Sequence, residues 1–308
     1  MGVTIAASAP GRCGILGNPS DIYGGKVLSC SLPARAQCRL TLDVETSLPD
    51  DATLWEAATR RFPLDKVRVE WSSDVPRSSG LAGSTALLAA TLACILKARG
   101  EEPDLATPEG LAAFSELVRD VERYDAGVVC GFQDAYMAVH GGLQSMSFDG
   151  KRPDRRGGPA ARMEPLEAEL PFLLVTTGVE RLSGSVHGPM AERWLRGDRE
   201  VRNTMERLPA MAEAGVQALL EGDDERLAAL MTENQRMIAA LGGSGEAIDR
   251  LIERCLKHGA RAAKLAGAGM GGTVIALTRT PDELADRLRG DGYGRFMQPQ
   301  IAPGVRFE

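Results

Sequence analysis

Residues Pro76 to Leu88 read PRSSGLAGSTALL, a glycine and hydroxyl run that feeds directly into an apolar segment. A loop of this kind suits phosphate. Gly80 and Gly83 let the backbone approach a ligand closely, and Ser84 and Thr85 add hydroxyls. The unpaired N–H groups of the helix's first turn, with its dipole, favour an anion there. The common nucleotide pattern G-x-x-x-x-G-K-S/T occurs nowhere in the chain, so a different phosphate-binding architecture is required. The helix predicted after Ser84 is apolar nearly all round, which implies burial at the centre of its domain.

Working outward, the 308 residues are enough for one large or two medium domains, and 44% hydrophobic with 25% charged residues is ordinary globular composition. A formal charge of −6 without a dense Lys/Arg cluster argues against nucleic acid as a partner. An anionic substrate must then be met by local cations and glycine-loop N–H groups. The cysteines Cys13, Cys30, Cys38, Cys94, Cys130 and Cys255 are scattered without a C-x-x-C pair, against both a disulfide framework and a zinc site. MGVTIAASAP lacks a basic segment followed by an apolar core, and the longest apolar run, Leu81 to Leu96, is interrupted by Ser84, Thr85 and Thr91. No membrane partner and a reduced cytoplasmic location are the expectation.

Leu40, Leu42 and Val44 alternate at period two, as do Val67, Val69 and Trp71, predicting half-buried strands. Phe114, Leu117, Val118, Val121 and Tyr124 recur at helical spacing. GKRPDRRGGPAARM (150–163) is polar, basic and rich in Gly and Pro, the best candidate for a boundary or mobile loop. PFLLVTT (171–177) then reads as a buried strand, and amphipathic helices follow between about 189 and 258. KLAGAGMGGTVIALT (264–278) reads as a glycine turn between two strand-like runs.

Three segments in order, APGRCGILGNPSDIYGG (9–25), PRSSGLAGSTA (76–86) and KLAGAGMGGT (264–273), resemble motifs one, two and three of the galactokinase, homoserine kinase, mevalonate kinase and phosphomevalonate kinase (GHMP) superfamily. LGNPSDIYGGKVLSCSL, AGVVCGFQDAYMAVHGGLQSMSFDG (126–150) and SGSVHGPMAERWLRGD (183–198) are similar to parts of glucuronokinases, which phosphorylate a uronic acid at its anomeric hydroxyl. CGFQD is also similar to the catalytic segments of galactokinases and heptose-phosphate kinases. The resemblance implies an α+β fold in two lobes, 1–165 and 166–308, with the active site in the cleft between them. It further implies ATP and Mg2+ as cofactors and a small sugar or sugar acid as substrate, and leaves a homodimer open. Another polyol kinase, or a silent sugar and nucleotide sensor, are the alternatives.

Phosphoryl transfer to a hydroxyl needs neutralised charge, in-line geometry and a carboxylate for the hydroxyl proton. By resemblance Asp134 is that carboxylate and Arg12 lies beside it near the transferring group. A plain helix-start aspartate would favour the dipole in the same way. Asp21 matches a carboxylate that holds sugar hydroxyls, although Asn18, Pro19, Ser20 and Asp21 are also all turn formers. Galactokinases have Glu-His where this chain has Asn18-Pro19, so hydroxyl recognition differs. The nucleotide falls to Pro76, Ser79, Gly80, Leu81, Ala82, Gly83, Ser84 and Thr85, supported by Gly267 and Gly269. Ala82 and Gly83 stand where many members have Gly and Ser. Ser84 is the magnesium candidate, with Thr85 in reserve and Asp134 or Glu122 to complete the shell; Ser84 as a helix N-cap is the plain alternative. The literal G-x-G-x-x-G at 267–272 runs into a strand rather than a helix, which excludes a dinucleotide fingerprint. Asn18, Tyr23, Gln133 and Arg181 are assigned to the substrate. Arg77, His187 and Lys264 join Arg181 as cations able to meet a carboxylate. His140 is assigned to packing.

Overall fold

The computed structural model describes residues 2–179, 184–267 and 272–308. Arg181 and Gly269 lie outside the described residues, as does the His187 side chain. Strands β1 (Thr4–Leu16) and β2 (Lys26–Leu42) pair antiparallel and frame the first half of the chain. Every second side chain of β2 from Leu28 to Leu40 is buried, the period expected of a strand with one face on a core. Strand β3 (Val67–Ser73) pairs with β2, as does β4 (Leu143–Ser147), which in turn pairs with β5 (Arg162–Leu166). Between Pro10 and Arg12 the β1–β2 register shifts as β2 accommodates Pro33, the kind of irregularity that re-aims a side chain.

Helices α1 (Thr53–Arg61), α2 (Gly83–Ala98), α3 (Pro108–Asp120) and α4 (Gln133–His140) accompany this sheet. As its composition requires, α2 is central: Ala86, Leu88, Leu92 and Ile95 pack with Cys38, Leu40, Val67 and Phe114 in one apolar cluster. Each fully buried Leu or Ile there contributes about 1.5–3 kcal/mol.

The second sheet joins β6 (Phe172–Thr176), β7 (Ala262–Leu265), β8 (Thr273–Leu277) and β9 (Phe296–Met297) in the order β7-β8-β6-β9. Helices α5 (Gly184–Leu195), α6 (Arg199–Glu221), α7 (Asp224–Ala240), α8 (Glu246–Lys257) and α9 (Pro281–Gly290) belong to this half. Antiparallel sheets with helices packed beside them make an α+β fold. The two halves share a core in which Ile15, Leu28 and Leu32 meet Phe172, Leu174, Val216 and Ile275. Among the described residues, no helix is long and apolar enough to cross a membrane.

Three features depart from the sequence reading. The basic stretch 150–163 joins two paired strands of the first sheet, running through the β4–β5 connection into the start of β5. Lys151 is fully buried, 2.8 Å from Glu116 and 4.6 Å from the centre of the Phe132 ring, and Arg156 pairs with Asp120 at 3.1 Å. The helical face ending at Tyr124 is broken by a π-turn over Val121–Asp125, which leaves Tyr124 exposed and turns Glu122 inward. Finally, β10 (Arg306–Phe307) crosses the expected division at 165/166 and pairs with β1 at the edge of the first sheet.

Buried Arg35 locks that returning tail, donating to the carbonyls of Pro303 (2.7 Å), Gly304 (2.8 Å) and Ser8 (2.9 Å) and to the Ser8 hydroxyl (2.7 Å). Burial, aided by Arg306, pushes its pKa down to about 10. Arg35→Ala leaves buried carbonyls without donors, so we expect a loss of about 2–4 kcal/mol in urea unfolding and earlier proteolysis of the C-terminal tail. Unchanged unfolding would show that the tail is held by other contacts.

Candidate active site

The irregularity in β1 presents Arg12 as a clamp. Its Nε and Nη2 lie 2.8 and 2.6 Å from Asp134 Oδ1, and its Nη1 donates to the Gly80 carbonyl at 2.6 Å. The backbone joins in, with Arg12 N donating to Leu81 O at 3.0 Å and Gly14 N to Ala266 O at 2.8 Å. One short segment of β1 therefore holds the other two glycine motifs and the head of α4. Asp134 Oδ2 makes no hydrogen bond among the described residues and is left to a ligand.

Asp21 reaches α4 from the 3-10 turn Ser20–Tyr23. Its Oδ2 accepts from the backbone N–H groups of Phe132 (2.7 Å) and Gln133 (3.0 Å), capping the helix that carries Asp134. This is more than the turn chemistry of its neighbours. A Cβ on Gly131 would sit 2.1 Å from that oxygen, which explains the glycine in CGFQD. The C-terminal end of α4 is fixed by the tail, through Gly142 N to Ala302 O (2.9 Å) and Val305 N to Val139 O (3.2 Å).

Arg12, Asn18, Asp21, Gln133, Asp134 and Gly267 all line one cleft. Gln133 is 4% exposed and its Oε1 has no partner, a buried acceptor facing a ligand site. Asn18 donates to Gly267 O (2.9 Å) and accepts from Lys264 Nζ (3.3 Å). Tyr23 departs from the sequence reading: its ring lies 5.5 Å from that of Trp194, packed against an apolar cluster that includes Val201, Met205 and Leu208, and outside the cleft lining. Lys264 departs likewise, being 1% exposed beneath the cleft with three oxygen partners, Gly14 O, Asn18 Oδ1 and Leu265 O.

In the phosphate loop, Ser79 Oγ is spent on Pro76 O at 2.7 Å and Leu81 is a core side chain. Ala82 takes the left-handed conformation, φ 60°, as the residue before α2, and no side chain caps the helix there. The N–H groups of Gly83, Ser84 and Thr85 precede the first intrahelical bond, Ala86 N to Ala82 O (2.9 Å), so the helix start fits an anion. The glycines of motif three brace this loop: a Cβ on Gly267 would sit 2.4 Å from Gly80 O, and one on Gly272 would sit 2.3 Å from Ser79 O.

Ser84 is exposed, whereas Thr85 is buried with its hydroxyl 2.8 and 2.9 Å from the two Glu122 oxygens. The Thr85 hydroxyl is thereby taken from the nucleotide, leaving its backbone N–H at the helix start. Burial first, and then the Asp134 charge, pushes the Glu122 pKa up to about 7 against the pull of Thr85, Cys130 and Ser84. The sequence undervalued Glu122 because the π-turn that buries it has no periodic signal; π-turns recur at functional sites. His140 is a packing residue, 5.7 Å from the Tyr136 ring, its pKa pushed down to about 4 by burial. Among the described residues no three His, Cys, Asp or Glu side chains form a metal cage, so a cation would need ligand oxygens to complete its shell.

Residues 52–142 match the GHMP kinases N terminal domain and residues 216–293 the GHMP kinases C terminal domain. The chain belongs to the GHMP kinases. It is 29% identical to Glucuronokinase 1 of Arabidopsis thaliana over 95% of this chain and 91% of that protein. It is 26% identical to the D-glycero-alpha-D-manno-heptose 7-phosphate kinase of Campylobacter jejuni, over 88% of each. Lactococcus lactis galactokinase, solved with galactose, superposes with a TM-score of 0.75 over 98% of this chain and 95% of that one, at 18% identity. As a GHMP kinase the protein is a phosphotransferase that draws its phosphoryl group from ATP.

Two outcomes test the architecture. Gly131→Ala drives Asp21 off the α4 cap; we expect kcat to fall by about 10²-fold with the circular dichroism spectrum retained, whereas normal turnover would show that the cap does not place Asp134. Burial, reinforced by Arg12, depresses the Lys264 pKa from 10.5 to about 7. Between those values the unfolded chain holds a proton that the native one lacks, so stability attributable to Lys264 rises with pH. Lys264→Met should flatten that rise in thermal melts from pH 7 to 9; parallel curves would place a charged Lys264 in the native state.

Proposed function

We propose that this kinase transfers the γ-phosphoryl group of ATP to the anomeric hydroxyl of a sugar, a uronic acid first among candidates. The observation that carries the reading is Asp134, with one oxygen fixed by Arg12 and the other free toward a cleft whose remaining groups suit hydroxyls. The similarity to glucuronokinase over almost the whole chain supports the uronic acid.

In this reading the division at 165/166 separates a lobe that holds the phosphate loop and Asp134 from one that braces the loop through Gly267 and Gly272. The nucleotide phosphates lie against Gly80, Ala82 and Gly83 and the first N–H groups of α2. The acceptor's hydroxyls bond to Gln133 and to the Asp21 oxygen left over from the cap, and a sugar lacking one of them leaves a buried acceptor unpaired. Asp134 Oδ2 accepts the anomeric hydroxyl proton as oxygen attacks phosphorus. Arg12, paired with Asp134 and Gly80, sits between base and phosphate loop and stabilises charge on the transferred oxygens. Mg2+ would be held by the exposed Ser84 hydroxyl and the Glu122 carboxylate together with phosphate oxygens, and when bound it neutralises charge on the β- and γ-phosphates.

ADP release with Mg·ATP is to be measured across glucuronate, galacturonate, galactose, fucose, arabinose, a heptose and mevalonate, with the product position read by phosphorus NMR. A uronic acid 1-phosphate is the expected product. ATP binding without turnover of any acceptor would replace this reading with a sensor. Asp134→Asn should lower turnover by about 10²- to 10⁴-fold with the circular dichroism spectrum retained; near-normal turnover would remove Asp134 from the role of base.

A further inference from the structure

A sugar acid brings a carboxylate that the Asp134 cleft is poorly made to receive. Among the described residues the cation lining that cleft is Arg12, paired with Asp134 and Gly80 beside the transferring group, and the other charged groups, Asp21 and Asp134, are carboxylates. Lys264 lies below the surface with its own oxygens. A carboxylate placed against this wall meets acceptors and repulsion.

Beside the phosphate loop lies a cavity of about 300 Å³ with the opposite character. Gly80 faces Arg12, while the preceding residues Arg77, Ser78 and Ser79 line the cavity. Its opposite wall comes from the second half of the chain: Thr176 and Thr177 at the end of β6, and Tyr293 and Arg295 between α9 and β9. Among the described residues the lining contains two arginines, several hydroxyl groups and no carboxylate, in a protein whose net charge is −6. Both arginines are exposed and neither makes a salt bridge among the described residues, although the Arg77 charge adds to the Thr53 hydrogen bonds that hold the exposed Asp51 carboxyl below its usual range. The walls are tied at their base, where Thr177 N and Oγ1 donate to Gly272 O at 2.8 and 3.0 Å and Gly272 abuts Ser79. A guanidinium from each half thus faces one polar space, the arrangement that grips an oxyanion by paired hydrogen bonds.

We propose that Arg77 and Arg295 form an oxyanion subsite between the lobes that receives the acceptor's own anionic group, remote from the hydroxyl that is phosphorylated. The nucleotide phosphates have the start of α2 as a separate seat. This subsite rests on the sugar-kinase reading and deepens it: the acceptor class becomes sugars with a carboxylate or phosphate at the far end, read by hydroxyl acceptors at one end and by cations at the other.

The test is steady-state kinetics of the full chain and of Arg77→Gln and Arg295→Gln, with glucuronate, galacturonate, a heptose 7-phosphate and the neutral sugar galactose, at saturating and at varied ATP. The expected result is a KM for the acidic acceptor raised at least tenfold in each variant, with kcat and the KM for ATP within about twofold, and unchanged melting temperatures. Inorganic phosphate should inhibit the unaltered protein competitively with the acceptor, and less so in the variants. An unchanged acceptor KM, a raised KM for ATP instead, or turnover of galactose but no acidic acceptor would each overturn the subsite. Phosphate binding, followed by phosphorus NMR line width in all three proteins with saturating ADP present to fill the seat at the start of α2, stands apart from turnover. Its loss in both variants supports the oxyanion subsite even where no acceptor in the set reacts, an outcome that overturns only the sugar-kinase reading, and its persistence overturns the subsite.

Discussion

The site depends on what a single guanidinium can do that an ammonium cannot. Arg12 presents a rigid fork, so it binds Asp134 through two nitrogens while a third donates to Gly80 O. A lysine at this position would satisfy one of these partners as a point charge. Because β1, the phosphate loop and α4 come from segments far apart in sequence, this fork sets their relative positions to within hydrogen-bond tolerance. The same register shift that aims Arg12 brings its backbone N–H onto Leu81 O, so main chain and side chain of one residue fix the loop together.

Around that fork, α4 is immobilised at every end and side. Asp21 supplies the cap at its start, the returning tail binds its last turn, and Tyr136 Oη donates to Glu116 at 2.6 Å along its flank. Lys151 lies on the ring of Phe132 and completes the ion pair with Glu116. Two carboxylates then share the neighbourhood under different conditions. Asp134 is partly open and paired, while Glu122 is buried with hydroxyl partners and has its pKa pushed up to about 7. Environment, not residue type, separates the two: Asp134 stays open to an acceptor hydroxyl, whereas Glu122 must give up its proton to hold a cation.

What the sequence made legible was local in character. The strand periodicities, the apolar helix after Ser84 and the glycine turn between β7 and β8 are short-range patterns, and the structure follows them. The motifs placed Arg12 and Asp134 together because each carries its own signature. The unread parts arise from contacts between distant segments. Asp21 as a cap on α4 requires knowing that Gly131, 110 residues later, leaves room for it. Glu122 is turned inward by one extra residue in a helical turn, which defeats a count at 3.6 residues per turn. The stretch 150–163 looks like a linker because its composition is polar, yet Lys151 is buried once Glu116 and Phe132 supply an anion and a ring face. Arg295 had no motif around it, and only the folded chain sets it across from Arg77.

The distribution of charge along the interlobe surface gives the arrangement its logic. An acidic protein that handles polyanions must concentrate cations where they are needed, since its average field repels such ligands. Arg12 is already neutralised by Asp134, and the start of α2 offers only partial charges, which suit phosphates but add no net positive charge. Among the described residues, further positive charge outside any salt bridge lies in the cavity shared by Arg77 and Arg295. A ligand with hydroxyls at one end and an anion at the other is thereby oriented by polarity alone. Reversed, its anion would face Asp21 and Asp134, and its hydroxyls would leave two guanidiniums unpaired. Orientation of this kind acts before any side chain closes on the ligand, which is what presenting one particular hydroxyl to Asp134 requires.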